Sequence, residues 1–365
     1  MLTEMQVLER LRGLRDPEIG RSLGELDMLR SATLGAGNSL TVTVDLPTPA
    51  YPKRERITEA IQSTIRQSLP EAGAVEVKFI SNVRGKMSGG SIGLRAKNVI
   101  AVGSGKGGVG KSTVAATLAY GLKTLGCQVG LMDADVYGPS IPHMVGSHGV
   151  PSAVKHTTAS GEVFERIEPV VADGLKVMSM AYFVKPDQAV IWRGPMLHKA
   201  ITQFLKDTDW GELDYLIIDM PPGTGDVSLT LSQIVGLAGA IVVCTPQQVA
   251  LLDAVKAVAM FRKTNIPLLG MVENMSGFIC AECGKRYDIF GHGGARLKAE
   301  ELGVPFLGEV PLNIQLRSQS DTGNLSDALQ DPICSVALDK IVHSLLTGMA
   351  IRAATAPVGT ALPVL

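Results

Sequence analysis

Residues 103–113 read GSGKGGVGKST, between the apolar run VIAV and the stretch STVAATLAYGLKTLG. Gly105 to Ser112 satisfy the spacing G-x-x-x-x-G-K-[ST], and Thr113 follows. That spacing needs a strand before it and a helix after it, and both are predicted here, the helix ending near Gly126. Glycines let backbone amides converge on phosphate oxygens that side chains would keep away. The helix N-terminus adds the positive end of its dipole. Gly105, Gly107, Gly108, Val109, Gly110, Lys111, Ser112 and Thr113 are therefore candidate nucleotide-binding residues. Lys111 is suited to the β- and γ-phosphates and Ser112 to Mg²⁺, so ATP and magnesium are the expected ligands.

The texture around this loop sets the fold class. From residue 98, short runs rich in Val, Ile and Leu alternate with helical stretches: VIAVGS, VGLMDAD, LKVMSM, YLIIDMPP, AIVVCTP, IPLLGMVEN and VPFLGEVP. Runs apolar on both faces, too short for buried helices, fit a buried parallel sheet. The expectation is an α/β fold, a mostly parallel doubly wound sheet, preceded by a small α+β domain. Residues 1–80 form that small domain, with a helix near 4–14, a strand in NSLTVTVDL, a helix with Ile57, Ile61 and Ile65 on one face, and a closing strand in AVEVKFI. The predicted order is α-β-β-α-β. Residues 81–97 read as a linker, 98–350 as the ATPase domain and 351–365 as a flexible tail without helical periodicity.

Charge and cysteine usage exclude several classes. A net charge of −1 argues against a nonspecific binder of nucleic acid or anionic membrane. The start, MLTEMQVLERLRGL, reads as an amphipathic helix and not as a signal peptide, and no apolar run is read as a membrane span. Five scattered cysteines fit reduced thiols in the cytoplasm better than a disulfide frame.

Lys106, just after the first glycine, gives the pattern K-G-G-x-G-K-[ST]. It resembles the deviant phosphate loop of the MinD/ParA/nitrogenase-iron-protein class. The resemblance implies that Lys106 reaches the nucleotide of a partner subunit and acts in trans as an arginine finger does, so that hydrolysis requires a dimer. It also implies that Asp135 in DADVYGPS orients the attacking water while Asp133 supports the Mg²⁺ shell. In YLIIDMPPGTGD, Asp219 ends an apolar strand and suits a water-mediated Mg²⁺ contact. PPGTGD is then a switch loop sensing the γ-phosphate. Asp226 is expected to cap the helix of VSLTLSQIV. Asn274 resembles the adenine-reading asparagine of the class.

Cys280 and Cys283 in FICAECGKRYDIFGHGG place two thiolates on one turn. Zinc or a cubane cluster wants four ligands. Three readings compete: a [4Fe-4S] cluster bridging two subunits, a zinc knuckle using Cys280, Cys283 and His292, or a redox dithiol. Joined to a dimeric ATPase, the pair favours the bridging cluster, because both features ask for two-fold symmetry.

Taken together, GKGGVGKST, DADVYGPS, WRGPM, DMPPGTGD, ENMSGF and FICAECG…IFGHGG resemble the Mrp-type (ApbC-like) iron–sulfur cluster carrier ATPases over residues 98–350. DPE at 16–18 and TPAYP at 48–52 resemble the small iron–sulfur-assembly domain often fused before them. One departure stands out: Tyr51 occupies a turn position where many such domains carry a cysteine. The resemblance implies a slow, dimer-dependent ATP hydrolase. It would carry a labile [4Fe-4S] cluster between scaffold proteins and apo iron–sulfur proteins, with no nucleic-acid or membrane partner. Arg193 of WRGPM fits a switch or dimer contact and a packing role equally. A spatial organiser of the MinD kind would need a basic amphipathic C-terminal helix, which MAIRAATAPVGTALPVL does not supply.

Overall fold

The structure is a computed structural model that describes residues 3–48, 51, 54–83, 92–157, 161, 163–184, 194–223, 225–280 and 282–355. Contacts divide the chain into two units, residues 1–84 with 345–365, and residues 85–344.

The first unit holds α1 (Glu4–Arg12), β1 (Leu29–Leu34), β2 (Leu40–Leu46), α2 (Arg54–Ser68) and β3 (Val75–Ser81), in the predicted order. Thr3 and Gln6 cap α1 reciprocally: the Gln6 amide donates to Thr3 Oγ1 and the Thr3 amide to Gln6 Oε1. β2 pairs antiparallel with β1 and parallel with β3. Ile57, Ile61 and Ile65 lie one helical turn apart and are buried in one core with Val42, Val44 and Leu46. Tyr51 is buried, and its Oη donates to Asp16 Oδ1 at 2.6 Å. The same oxygen accepts the Glu18 and Ile19 amides at 2.9 and 2.7 Å. The DPE segment and Tyr51 thus meet in one hydrogen-bonded corner. Ala350 joins this core from the other end of the chain.

The second unit opens with β4 (Ala96–Gly103), α3 (Lys111–Thr124), β5 (Val129–Asp133) and the short α4 (Ile141–Met144). A hairpin of β6 (Ser152–Thr157) and β7 (Val163–Glu168) leads to β8 (Val170–Ala172), β9 (Leu175–Ser179), α5 (Gly194–Lys206), β10 (Leu213–Asp219) and α6 (Asp226–Ile234). Then come β11 (Gly239–Cys244), α7 (Gln248–Lys263), β12 (Leu268–Ile279), β13 (Arg286–Tyr287), α8 (Gly294–Leu302), β14 (Phe306–Leu312), α9 (Ile314–Thr322) and α10 (Pro332–Thr355). All seven apolar runs are strands. They pair in parallel in the order β14-β12-β11-β4-β10-β5-β9, with β8 antiparallel beside β9 and β13 antiparallel on the far end of β12. Alternate residues face opposite layers. Val99, Ala101, Leu216 and Ile218 share a core with buried residues of α5, α6, α7 and α8. Ile100 and Ile217, equally buried, fall outside that core, and α3 packs against β4, β5 and β10.

Three readings need adjustment. Gly225, not Asp226, stands at the N-cap of α6, and Asp226 is its first residue. α10 continues to Thr355, past the tail boundary at 351, because the alanines there favour helix without needing an apolar stripe. Residues 356–365 lie outside the described residues, as do 84–91 of the linker and Arg193. Over Pro332–Ala353, α10 is also long and apolar enough to cross a membrane by length and composition. Its Leu338, Ile341, Val342, Leu345 and Leu346 are buried in the fold, and a core helix passes the same test.

Candidate nucleotide site and cysteine hairpin

The parallel register brings the acidic residues together. Asp219, the last residue of β10, lies opposite Asp133, the last of β5, and opposite Val102 of β4 on its other side. The loop after β4 therefore arches over two carboxylates at the carboxyl edge of the sheet, where ligands of doubly wound folds bind. Lys111, first residue of α3, reaches down to them. Its Nζ lies 2.5 Å from Asp219 Oδ1, 3.7 Å from Asp135 Oδ2 and 3.2 Å from Ser112 Oγ.

Lys111, Asp133, Asp135 and Asp219 are all buried. Burial first, and then the Asp219 charge, push the Asp133 carboxyl from 3.8 to about 8, against the pull of Lys111 and two backbone amides. Those amides, of Asp135 and Ile141, donate to its two oxygens, and Ser179 Oγ donates to Oδ2. Asp219 is also pushed up by burial, against Lys111 and Ser112. Its Oδ2 is buried without a hydrogen-bond partner.

The glycines of the loop divide into two kinds. Gly108 and Gly110 have φ of +77°, a conformation that other residues rarely adopt. Gly105 has a different reason. A Cβ there would lie 2.0 Å from the backbone oxygen of Asp253, so α7 lies against the loop. Lys106 is half-buried, and its carbonyl accepts from Ser104 Oγ.

Beside Gly110 and Thr113 opens a largely apolar cavity of about 630 Å³, lined also by Asn274, Met275, Phe278 and residues of β14 and α9. Asn274 Nδ2 donates to the Val109 carbonyl at 2.9 Å, which ties β12 to the phosphate loop.

The cysteine pair hangs from the same strand. Cys280 directly follows β12, and the turn that Cys283 occupies leads to β13. The Gly284 amide closes the turn on the Cys280 carbonyl, and the Cys280 amide donates to Lys285 O. Backbone amides of Cys283 and Glu282, then the Cys283 thiol, hydrogen-bond the Cys280 sulfur and hold its pKa below the ordinary thiol value. Cys280 is half-buried and Cys283 exposed, whereas Cys127, Cys244 and Cys334 are buried. His292 does not join the pair: its Nδ1 lies 2.9 Å from Asp288 Oδ2, and among the described residues no three metal-ligating side chains converge.

Residues 95–346 match the ParA family described as the NUBPL iron-transfer P-loop NTPase, and residues 4–79 match the iron–sulfur cluster assembly protein family. The chain belongs to the iron-transfer P-loop NTPases. Among its relatives of that family, the iron–sulfur cluster carrier protein of Synechocystis sp. is 49% identical, covering 88% of this chain and 91% of its own. That of Deinococcus radiodurans is 44% identical over 95% of each. A nucleotide-binding protein from Archaeoglobus fulgidus, solved in complex with ADP, is 38% identical with a TM-score of 0.55, covering 66% of this chain and 91% of that one.

Within this P-loop NTPase, one group of residues escaped the sequence reading. Glu273 is fully buried and accepts from the Gly293 and Ala295 amides and from Ser276 Oγ, each at 2.7 Å. Ser276 Oγ is also 2.8 Å from Glu309 Oε2. Glu and Ser three residues apart in ENMSGF suggest nothing until a strand bulge turns them to the same side.

Proposed function

We propose that this protein binds and hydrolyses ATP and carries a labile [4Fe-4S] cluster, held by Cys280 and Cys283 of two copies and passed to apo-proteins in the cytoplasm. What supports this reading is the hairpin. Two thiols share one exposed turn and, among the described residues, no other ligand completes a four-coordinate site within the chain. A second copy would supply the missing pair.

At the other site, ATP is the substrate. Lys111 would exchange its carboxylate partners for the β- and γ-phosphates, cradled by the amides from Gly105 to Thr113. Asn274 and the apolar cavity beside Gly110 would take the adenine. The uncompensated Asp219 Oδ2, with Ser112, fits the shell of a hydrated magnesium ion, with Asp133 supporting it. Magnesium there would offset charge on the phosphates. Asp135 would orient the attacking water, and Lys106 of the partner copy would steady charge on the transferred phosphoryl group.

The test is anaerobic reconstitution with iron and sulfide. The expected result is a broad visible absorbance, with iron and sulfide matching one cluster per dimer, lost in a Cys280→Ala/Cys283→Ala double variant that still binds ATP. Absorbance that survives in the double variant counts against the reading, as does stoichiometric zinc in protein purified without oxygen. A strictly monomeric protein with nonhydrolysable ATP would also contradict it.

A further inference from the structure

The strand that carries Asn274 breaks its ladder before it reaches the cysteines. β12 pairs with β14 up to Asn274↔Val310 and again at Phe278↔Leu312, so four steps on one strand match two on the other. Two residues are extruded there, with Met275 at φ +58° and Gly277 at φ +74°. Left-handed backbone at a non-glycine residue is costly and is kept where surroundings enforce it.

Those surroundings belong to the two sites. Asn274 binds the Val109 carbonyl, and Met275 lines the cavity beside Gly110. On the hairpin side, Arg286 of β13 lies across the bulge. Its Nη2 donates to the Ser276 carbonyl at 3.3 Å, and its Nε pairs with Asp288 at 2.9 Å. Nη1 lies 3.5 Å from Glu309 Oε1. A Cβ on Gly277 would lie 2.7 Å from Arg286 Nε. Ser276 closes the circle, with one hydroxyl proton between the carboxylates of Glu273 and Glu309. Every residue from 274 to 278 therefore touches either the phosphate-loop side or the cysteine hairpin, which follows at Cys280.

We infer that Arg286 is a positioning residue that fixes the Cys280–Cys283 hairpin on the Met275–Gly277 bulge, so that nucleotide held at Gly110 and Asn274 is felt at the two thiols. The inference rests on the carrier reading for its purpose, but its test does not need a cluster. A guanidinium suits the role because its rigid planar fork reaches a carbonyl and two carboxylates from separate nitrogens, whereas an ammonium offers one nitrogen on a flexible stem.

The experiment measures iodoacetamide alkylation of Cys280 and Cys283 in the full-length apo-protein, with and without magnesium and a nonhydrolysable ATP analogue. The other three cysteines are buried and react slowly. In the native chain nucleotide is expected to change the alkylation rate about fivefold or more, the lower end of ordinary coupling between sites. In Arg286→Gln the ratio is expected to fall toward one while nucleotide affinity stays within about twofold, and Arg286→Lys should keep only part of it. Should Arg286→Gln fold poorly, Gly277→Ala disturbs the same contact from the strand side and is expected to lower the ratio too. A native-size ratio in Arg286→Gln or in Gly277→Ala overturns the inference, and so does an absent nucleotide effect in the native chain. Failure of the carrier reading would show separately, as native protein that takes up no cluster on reconstitution.

Discussion

The phosphate loop and the cysteine hairpin hang from one sheet and are built on opposite plans. Around Lys111 a buried cation sits among buried carboxylates, fixed by strand register, with α7 packed against the loop at Gly105. Around Cys280 the order at the sulfur comes from backbone amides and the neighbouring Cys283 thiol, which donate to it at the surface. The first plan keeps preorganised charges out of water, which is what the proposed phosphoryl transfer needs. The second leaves sulfur accessible, which suits a ligand that must be given away. A deeply buried cluster would be held better and released worse.

The largest way to break this contrast is Lys111→Ala. ATP hydrolysis is expected to fall about 100- to 1000-fold, the range for losing one preorganised charge at a transferring group. The same change removes the cation that pulls the Asp133 and Asp219 carboxyls down. A carboxyl whose folded pKa is raised binds protons that the unfolded chain has released, so its stability is whole below 3.8 and is lost as pH climbs toward about 8. Melting temperatures of Lys111→Ala should therefore fall further below those of the native apo-protein at pH 8 than at pH 5. An equal gap at both values would mean that the carboxylates do not feel Lys111.

A smaller effect tests the contact between the phosphate loop and α7. Gly105→Ala pushes a methyl into the α7 backbone, where no side chain can swing aside, and should cost about 1–3 kcal/mol in denaturant unfolding. Gly107→Ala, with its nearest contact at 3.9 Å, should cost far less. The exposed site is probed by pH. Cys280 lies below the ordinary thiol value, whereas burial and Glu273 push Cys244 to about 12. Alkylation of Cys280 should persist to lower pH than that of an ordinary thiol, and Cys244 should stay unreactive. Away from both sites, Tyr51→Phe removes the hydrogen bond to Asp16 and should cost about 1 kcal/mol.

Much of this was legible in the sequence because its signals are local. The strand–loop–helix at 98–126 and the seven apolar runs needed only periodicity and glycine spacing. Asp133 and Asp219 each end such a run, so a parallel register had to bring them level. What was not legible depends on partners distant in sequence. Gly105 owes its identity to Asp253, and Ser276 owes its neighbours to a two-residue bulge set by β14. Asp226 looked like a cap because its residue type favours one, yet the helix begins a residue earlier than that choice allows. The cysteines' backbone donors could not be read from C-x-x-C, since the motif fixes spacing and not turn geometry.

The placing of Ala350 has a consequence for how the molecule is made. A ribosome delivers the first 84 residues early, and domains commonly fold in that order. Here the small unit takes Ala350, in the last turns of α10, into its core, so that core is completed only after the ATPase strands have been made. A stop near residue 344 would leave every ATPase strand intact and still take from the small unit the part of α10 that carries Ala350.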